Sequence, residues 1–263
     1  VLPAFNPGRA VEQTWLSLCQ FLAGRASEGD PWEALFVLDG CTDDTADRLA
    51  RLSADTDLPI RVLSYPKNRG KGHAVRTGLL AARGAIRIFT DVDLAYPFED
   101  VLRVAAAIKA GSAVAIGSRV HPQSWLQLPA GVLGYAYRRA VQGRLFGFLA
   151  RLLLPISVID TQAGLKGMTA QVAESLVPHL TCDGFGFDCE LLTACARAGI
   201  LPLELPVSVR YDDKTSTTGP GSALRMVHEL WKIRKAWRGR TLALVPAPAM
   251  APAEERVRPA AAA

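Results

Sequence analysis

Two aspartates one residue apart, Asp91 and Asp93, follow the strand-like run over residues 85–90. Carboxylates so spaced, on a loop leaving a buried strand, can hold a hard divalent cation and leave sites open for phosphate oxygens. Such a cation would neutralise a pyrophosphate leaving group. The plainer alternative is a pair of loop carboxylates that cap the next helix, since a D-x-D pattern alone is short. A second cluster, Leu38-Asp39-Gly40-Cys41-Thr42-Asp43-Asp44-Thr45, puts a carboxylate at another strand end. There Asp39 can accept a hydrogen bond from a base N–H or a ribose hydroxyl. Asp44 reads as a residue that favours a helix N-terminus. A third, Asn68-Arg69-Gly70-Lys71-Gly72-His73, joins glycines that admit a ligand to cations that suit phosphate. It is not a Walker A loop, because Gly72 rather than Ser or Thr follows Lys71. His73 reads as a surface or structural histidine, with no Ser-His-Asp set around it.

These clusters need elements to carry them. Short apolar runs at 33–38, 60–63, 85–90 and 113–118 alternate with helical patterns at 43–53, 71–82 and 98–109. Thr42 is the expected N-cap of the first of these helices. The β-α-β-α rhythm predicts an α/β protein with a mostly parallel, doubly wound central sheet flanked by helices. In such sheets ligands bind outside the carboxyl ends of the strands. Asp39, Asp91, Asp93 and Arg119 all fall at expected strand ends.

The second half has a different texture. Residues 125–158 are rich in Leu, Phe, Gly and Ala and carry Arg138, Arg139, Arg144 and Arg151. One or two amphipathic helices touching a membrane surface fit this pattern, and so does a pair of core helices with solvated arginines. Helices are expected at 188–198 and 223–240, a strand at 201–209, and a Gly/Ser/Thr loop at 212–222. One domain over 1–240 is expected, with a flexible Pro/Ala-rich tail over 241–263.

Composition narrows the classes. Of 263 residues, 49% are hydrophobic and 21% charged, which excludes a disordered chain. The net charge of +5 suits a polyanionic partner: nucleic acid, an anionic membrane or a phosphorylated substrate. An acidic pair at the presumed site opposes nucleic acid there. The five cysteines form no CxxC pair, so a zinc site of usual spacing and a disulfide scaffold are both disfavoured. Neither a leader peptide nor a spanning helix is expected.

Taken together, the ordered motifs resemble glycosyltransferase family 2, with its GT-A (Rossmann-like) nucleotide-sugar-binding fold. They are Pro3-Ala4-Phe5-Asn6, Asp39-Gly40 with Asp43 and Thr45, Asn68-Arg69-Gly70-Lys71-Gly72, Asp91-Val92-Asp93 and Gly117-Ser118-Arg119. Asp160-Thr161-Gln162-Ala163-Gly164-Leu165-Lys166 and Phe187-Asp188-Cys189-Glu190-Leu191-Leu192 resemble the dolichyl-phosphate glucosyltransferase and mannosyltransferase branch. The likeness spans about residues 1–240.

The resemblance implies an inverting, metal-dependent transfer of a sugar from a nucleotide donor to a polyprenyl phosphate. UDP-glucose is the favoured donor and GDP-mannose the alternative; a soluble acceptor is a further alternative. It places Pro3, Phe5 and Asp39 around the base and ribose, Lys71 and Val92 beside the nucleotide, and Gln162 and Asp188 at the sugar. Asp91 and Asp93 would carry Mg2+ or Mn2+. Arg119 would serve a donor or acceptor phosphate, and Arg139 would grip the lipid phosphate from membrane-contacting helices. Asp188 would be the base if the acceptor were a hydroxyl. A cytoplasmic enzyme, peripheral on the inner or cytosolic membrane face and without a nucleic-acid partner, is the resulting expectation. The sequence departs from the family's usual pattern at Leu38, Cys41, Pro7 and Gly221-Ser222-Ala223, positions that bear on base selection and acceptor handling.

Overall fold

All six residues of strand β2 (Ala34–Asp39) are buried, so both faces of the strand need cover. Side chains alternate across a strand, and the cover alternates with them. Ala34, Phe36 and Leu38 pack with helices α1 (Ala10–Arg25) and α2 (Thr45–Ala54). Leu35 and Val37 pack with Ala74 of α3 (Lys71–Ala81) on the other side. The result is a helix–sheet–helix sandwich in a computed structural model that describes residues 1–25, 31–127, 133–210 and 222–243.

β2 is the middle of a three-stranded parallel sheet between β1 (Leu2–Ala4) and β3 (Ile60–Tyr65). A second sheet runs in the order β4 (Ile86–Phe89), β7 (Lys166–Thr169), β5 (Val114–Ser118), β8 (Leu203–Pro206). The backbone nitrogen of Val1 donates to the Ile88 carbonyl at 2.7 Å, and that of Thr90 to the Val1 carbonyl at 3.0 Å. These two bonds set β4 beside β1, so Asp91 emerges next to the end of the first sheet. A small parallel pair, β6 (Trp125–Gln127) and β9 (Ser208–Arg210), lies apart.

The strand pairings are mostly parallel, as expected, and β7 is the reversed strand among them. β7 is antiparallel to both β4 and β5, with Lys166 paired in register to Phe89 and to Ile116. This reversal brings the entrance of β7 to the carboxyl ends of its neighbours. A parallel strand would have delivered residues 160–165 to the opposite edge.

Helix α4 (Phe98–Lys109) covers this sheet on one side through Val101, Val104 and Ile108. The largest core lies on the other side. There α3 meets α6 (Ala170–Leu176), α7 (Phe187–Arg197), α5 (Leu133–Leu153) and α8 (Ser222–Trp237). The expected strand over 201–209 is interrupted at Val207 and serves two sheets, as β8 and β9. The segment 125–158 forms one described helix, α5, preceded by β6. The N-cap of α2 is Asp44 rather than Thr42, whose backbone N–H and hydroxyl are both engaged by the Asn6 amide. Part of the expected tail, residues 244–263, lies outside the described residues, as does most of the loop at 212–222.

Glu190 on α7 ties this core to the loop before it. Its carboxylate is 1% exposed and accepts from Thr181 N–H (2.8 Å), Thr181 Oγ1 (3.1 Å), Cys182 N–H (2.6 Å) and Trp237 Nε1 of α8 (2.9 Å). Glu190→Ala would leave those donors without an acceptor, at a cost of about 3 kcal/mol. We expect its melting temperature, followed by circular dichroism, to fall by roughly 6–12 °C. An unchanged melting temperature would mean that water replaces the carboxylate.

Candidate active site

The site is assembled from strand ends outward. Asp39 ends β2 and is 3% exposed. Its Oδ1 accepts from Tyr65 Oη (2.8 Å) and Arg69 N–H (2.7 Å), and its Oδ2 from Asn68 Nδ2 (3.0 Å) and Gly70 N–H (2.8 Å). A carboxylate has about four acceptor positions, so all are taken. These bonds tie the carboxylate to the protein's own loop. Burial, and then Asp39, push the Tyr65 phenol up, which keeps it a donor.

The glycines of the third cluster also serve the protein. At Gly70, with φ at 105°, a Cβ would stand 2.3 Å from the Asp183 carbonyl oxygen. That carbonyl accepts from Gly72 N–H (2.8 Å) and His73 N–H (3.3 Å), so these first-turn amides of α3 are capped by protein rather than open to phosphate. His73 and Arg76 cluster on the Asp183 carboxylate, in keeping with a structural histidine.

Held in this way, Lys71 reaches across to β4. Its ammonium bonds Asp91 Oδ1. Burial alone would lower Lys71, but Asp91, Asp188 and Asp93 outweigh it and hold the ammonium above its ordinary range. The turn Asp91-Val92-Asp93-Leu94 is closed by Leu94 N–H on the Asp91 carbonyl (3.1 Å) and Ala95 N–H on Asp93 Oδ1 (3.1 Å). It carries Leu94 at φ 50°, a left-handed conformation that is strained for a branched side chain. Val92 anchors the turn from behind: its carbonyl accepts from Thr14 Oγ1 at 2.6 Å, and its side chain packs against the α1–α2 core.

Asp93 presents an exposed side chain at the rim. Desolvation by surrounding protein, and then the charge of Asp91, push its carboxyl up. A carboxyl raised by a like neighbour fits a cation position, because a cation removes the repulsion. Among the described residues no group of three or more His, Cys, Asp or Glu forms a closed metal shell. A hard cation on Asp91 and Asp93 would therefore take its other oxygens from a ligand and water.

The loop 160–164 closes the site. Its Gly164 lies so near Asp91 that a Cβ would stand 2.1 Å from Oδ2, and its N–H donates to Tyr96 Oη at 3.1 Å. Asp160 is gripped by Arg119 through Nε and Nη2, each at 2.8 Å, and through the Arg119 backbone N–H at 2.8 Å. The arginine assigned to a phosphate thus has its fork on Asp160. Burial alone would raise the Asp160 carboxyl; Arg119 outweighs it and holds it below the ordinary carboxylate range. Ala163 is held by Lys166, a fully buried lysine whose Nζ lies 2.5 Å from the Ala163 carbonyl and 2.6 Å from Asp188 Oδ1. Asp188 is correspondingly buried and paired.

The structure thus joins Asp39, Lys71, Asp91, Asp93, Gln162, Arg119 and Asp188 through direct contacts or shared loops. Gln162 is half-buried; its backbone N–H donates to Asp160 Oδ1 at 3.2 Å. Pro3 is buried in β1 opposite Val37, whereas Phe5 beyond it is 50% exposed. Asn6, Cys41, Thr42 and Asp43 lace the β1–α1 loop to the β2–α2 loop. Cys41 Sγ bonds the Asn6 N–H at 3.3 Å and the Ala4 carbonyl at 3.5 Å, bonds that a serine hydroxyl would also make. The side chain of Arg139, on α5, lies outside the described residues. The motif ending at Lys166 was legible in the sequence, but the role of that lysine in holding Ala163 and Asp188 was not; its signal was a lysine opening a strand-like Lys-Gly-Met-Thr run.

The helix–sheet–helix sandwich belongs to the GT-A class of folds. The solved glucosyl-3-phosphoglycerate synthase of Mycobacterium tuberculosis, in complex with Mn2+, UDP and glucosyl-3-phosphoglycerate, matches it at TM-score 0.61. The match covers 89% of this chain and 78% of that one at 21% identity, a likeness of fold. The model of glycosyl transferase family 2 matches residues 1–176, and the chain belongs to that family. It is similar to the dolichyl-phosphate beta-glucosyltransferase of Saccharomyces cerevisiae, 29% identical over 90% of this chain and 74% of that protein. The enzyme of the same name from Drosophila melanogaster is 30% identical over 89% of this chain and 73% of that protein.

The Arg119–Asp160 pair yields a pH-dependent expectation. Arg119→Met should cost about 2 kcal/mol at neutral pH, less than for a fully buried pair because the arginine is partly exposed. A carboxyl depressed by folding contributes stability above its unfolded value of about 3.9, lost as pH falls through the lower folded value. The stability gap between wild type and Arg119→Met should therefore narrow from about pH 5 to about pH 3, as measured by urea unfolding. A gap that ignores pH would show that Arg119 acts through packing alone.

Proposed function

We propose that this glycosyltransferase moves glucose from UDP-glucose onto a polyprenyl phosphate, with inversion, aided by Mg2+ or Mn2+ on Asp91 and Asp93. The observation that carries the proposal is the meeting of Asp91, Asp93, Lys71 and the 160–164 loop at one sheet edge. The acceptor class rests on relatives named dolichyl-phosphate beta-glucosyltransferase.

The work divides among the residues of the site. Phe5 offers an exposed ring beside the Asp39 loop, where a base can rest. Lys71 neutralises a diphosphate oxygen. Asp91 and Asp93 would hold a divalent cation, which would supply charge neutralisation to the departing diphosphate. Gln162 faces the sugar, while Arg119 and Asp188 act as positioning residues through Asp160 and Lys166. A phosphate acceptor is already anionic, so positioning and electrostatics suffice without a strong general base.

Delivery of a lipid acceptor calls for contact with a membrane, and α5 offers a face for it. Val141, Leu145, Phe148 and Leu152 recur at helical spacing and are 46–68% exposed. On the opposite face Ala150 is buried in the core, and Phe146, Leu149 and Leu153 pack against it. Arg144 is exposed beside the stripe, and Val227 and Trp231 of α8 are also exposed. We place this face on the headgroups of an anionic membrane, with Arg139 gripping the acceptor phosphate. Arg151 takes no part at the headgroups, because it bonds the Ile159 carbonyl at 2.8 Å. No described helix is long and apolar enough to cross a membrane.

Two measurements test the proposal. UDP release from UDP-glucose should require both metal and a short polyprenyl phosphate, and should fall at least ~100-fold in Asp93→Ala. Release that ignores the lipid would move the acceptor to a soluble class, and release from GDP-mannose instead would overturn the donor. In sedimentation with anionic vesicles, Leu145→Glu/Phe148→Glu should bind at least ~10-fold more weakly than wild type. Equal binding by the two would remove α5 from the membrane contact.

A further inference from the structure

Asp91 meets protein on both oxygens. Its Oδ1 accepts the Lys71 ammonium, and its Oδ2 lies against Gly164. Asp93 is exposed, and the protein bond to its carboxylate is the Ala95 N–H at 3.1 Å. The backbone at Lys71 is fixed, so its ammonium stays within reach of Asp91 and of a ligand beside it. Lys71 opens α3, its neighbour Gly70 donates to Asp39, and the amides after it are capped by Asp183. The cationic position beside Asp91 is therefore already filled by an ammonium. A divalent cation that takes Oδ1 must displace that ammonium, and a half-buried ammonium without an anion is costly. A diphosphate oxygen arriving with the cation offers the displaced lysine a new partner.

We infer that Lys71 is a built-in counter-ion for Asp91, which makes the binding of a divalent cation and of a nucleoside diphosphate depend on one another. The inference rests on the reading of Asp91 and Asp93 as the cation position. Lys71 holds Asp91 in a neutral pair until both ligands are present, then passes from the carboxylate to a phosphate oxygen. Such coupling is reciprocal: the diphosphate strengthens the cation by the factor by which the cation strengthens the diphosphate.

The test reads binding rather than turnover. Free Mn2+ is titrated by electron paramagnetic resonance with and without UDP, for wild type, Lys71→Met and Lys71→Arg. Without UDP, Lys71→Met should bind Mn2+ about 10-fold more tightly than wild type, and the gain in Mn2+ affinity on adding UDP should shrink by a similar factor. Lys71→Arg should behave as wild type, because it keeps the charge. Lys71→Gln, expected to shift in the same direction as Lys71→Met, serves if the methionine variant does not fold. If wild type binds Mn2+ with UDP but neither neutral variant binds it more tightly without UDP, the counter-ion role is overturned and the cation reading stands. If wild type binds no Mn2+ even with UDP, the cation reading falls, and the inference with it.

Discussion

The carboxylate of Asp39 is the point from which the site hangs. It is almost wholly buried, and a buried carboxylate must be hydrogen-bonded. Its four donors come from Tyr65 and from three consecutive residues, Asn68, Arg69 and Gly70. The chain between β3 and α3 is thereby wound around one anion. That winding sets where α3 begins, and so where Lys71 stands relative to Asp91. That aspartate thus builds the support for the lysine beside Asp91.

The remaining charges follow the same logic of local compensation. Asp91 pairs with Lys71, Asp160 with Arg119 and Asp188 with Lys166. Each pair also joins two segments distant in sequence, so it positions as well as neutralises. Asp93 has the most exposed carboxylate of this set and is pushed up by its neighbour Asp91. The site is thus braced by ion pairs along the Asp160–Lys166 side and exposed at Asp93. Pairs buried to this degree add little net stability, because desolvation offsets much of the attraction; what they contribute here is placement.

Family membership and physical reading meet at α5. Helices that bury one face and expose an apolar stripe on the other are uncommon on a freely soluble surface. α5 buries Ala150 while exposing Leu145, Phe148 and Leu152. A transferase working on an anionic lipid would gain from such a face, since acceptor and enzyme then meet within one plane.

Much was legible from local pattern. The alternation of apolar runs and helical stretches is a short-range signal, and α3, α4, α7, β2 and β5 appear within a few residues of where it puts them. The acidic pair at a strand end, the Gly-Ser-Arg run and the family were readable because residue type and spacing carry them. Tertiary structure decided what no local period encodes. It reversed β7, whose buried Lys166 disguises a strand, and so swung Gln162 and Gly164 to the edge where Asp91 emerges. It also set Asp39 on the 68–70 loop, Arg119 on Asp160 and Asp188 on Lys166. A carboxylate or guanidinium bonds whichever partner the fold brings within reach, and that partner lay tens of residues away in sequence.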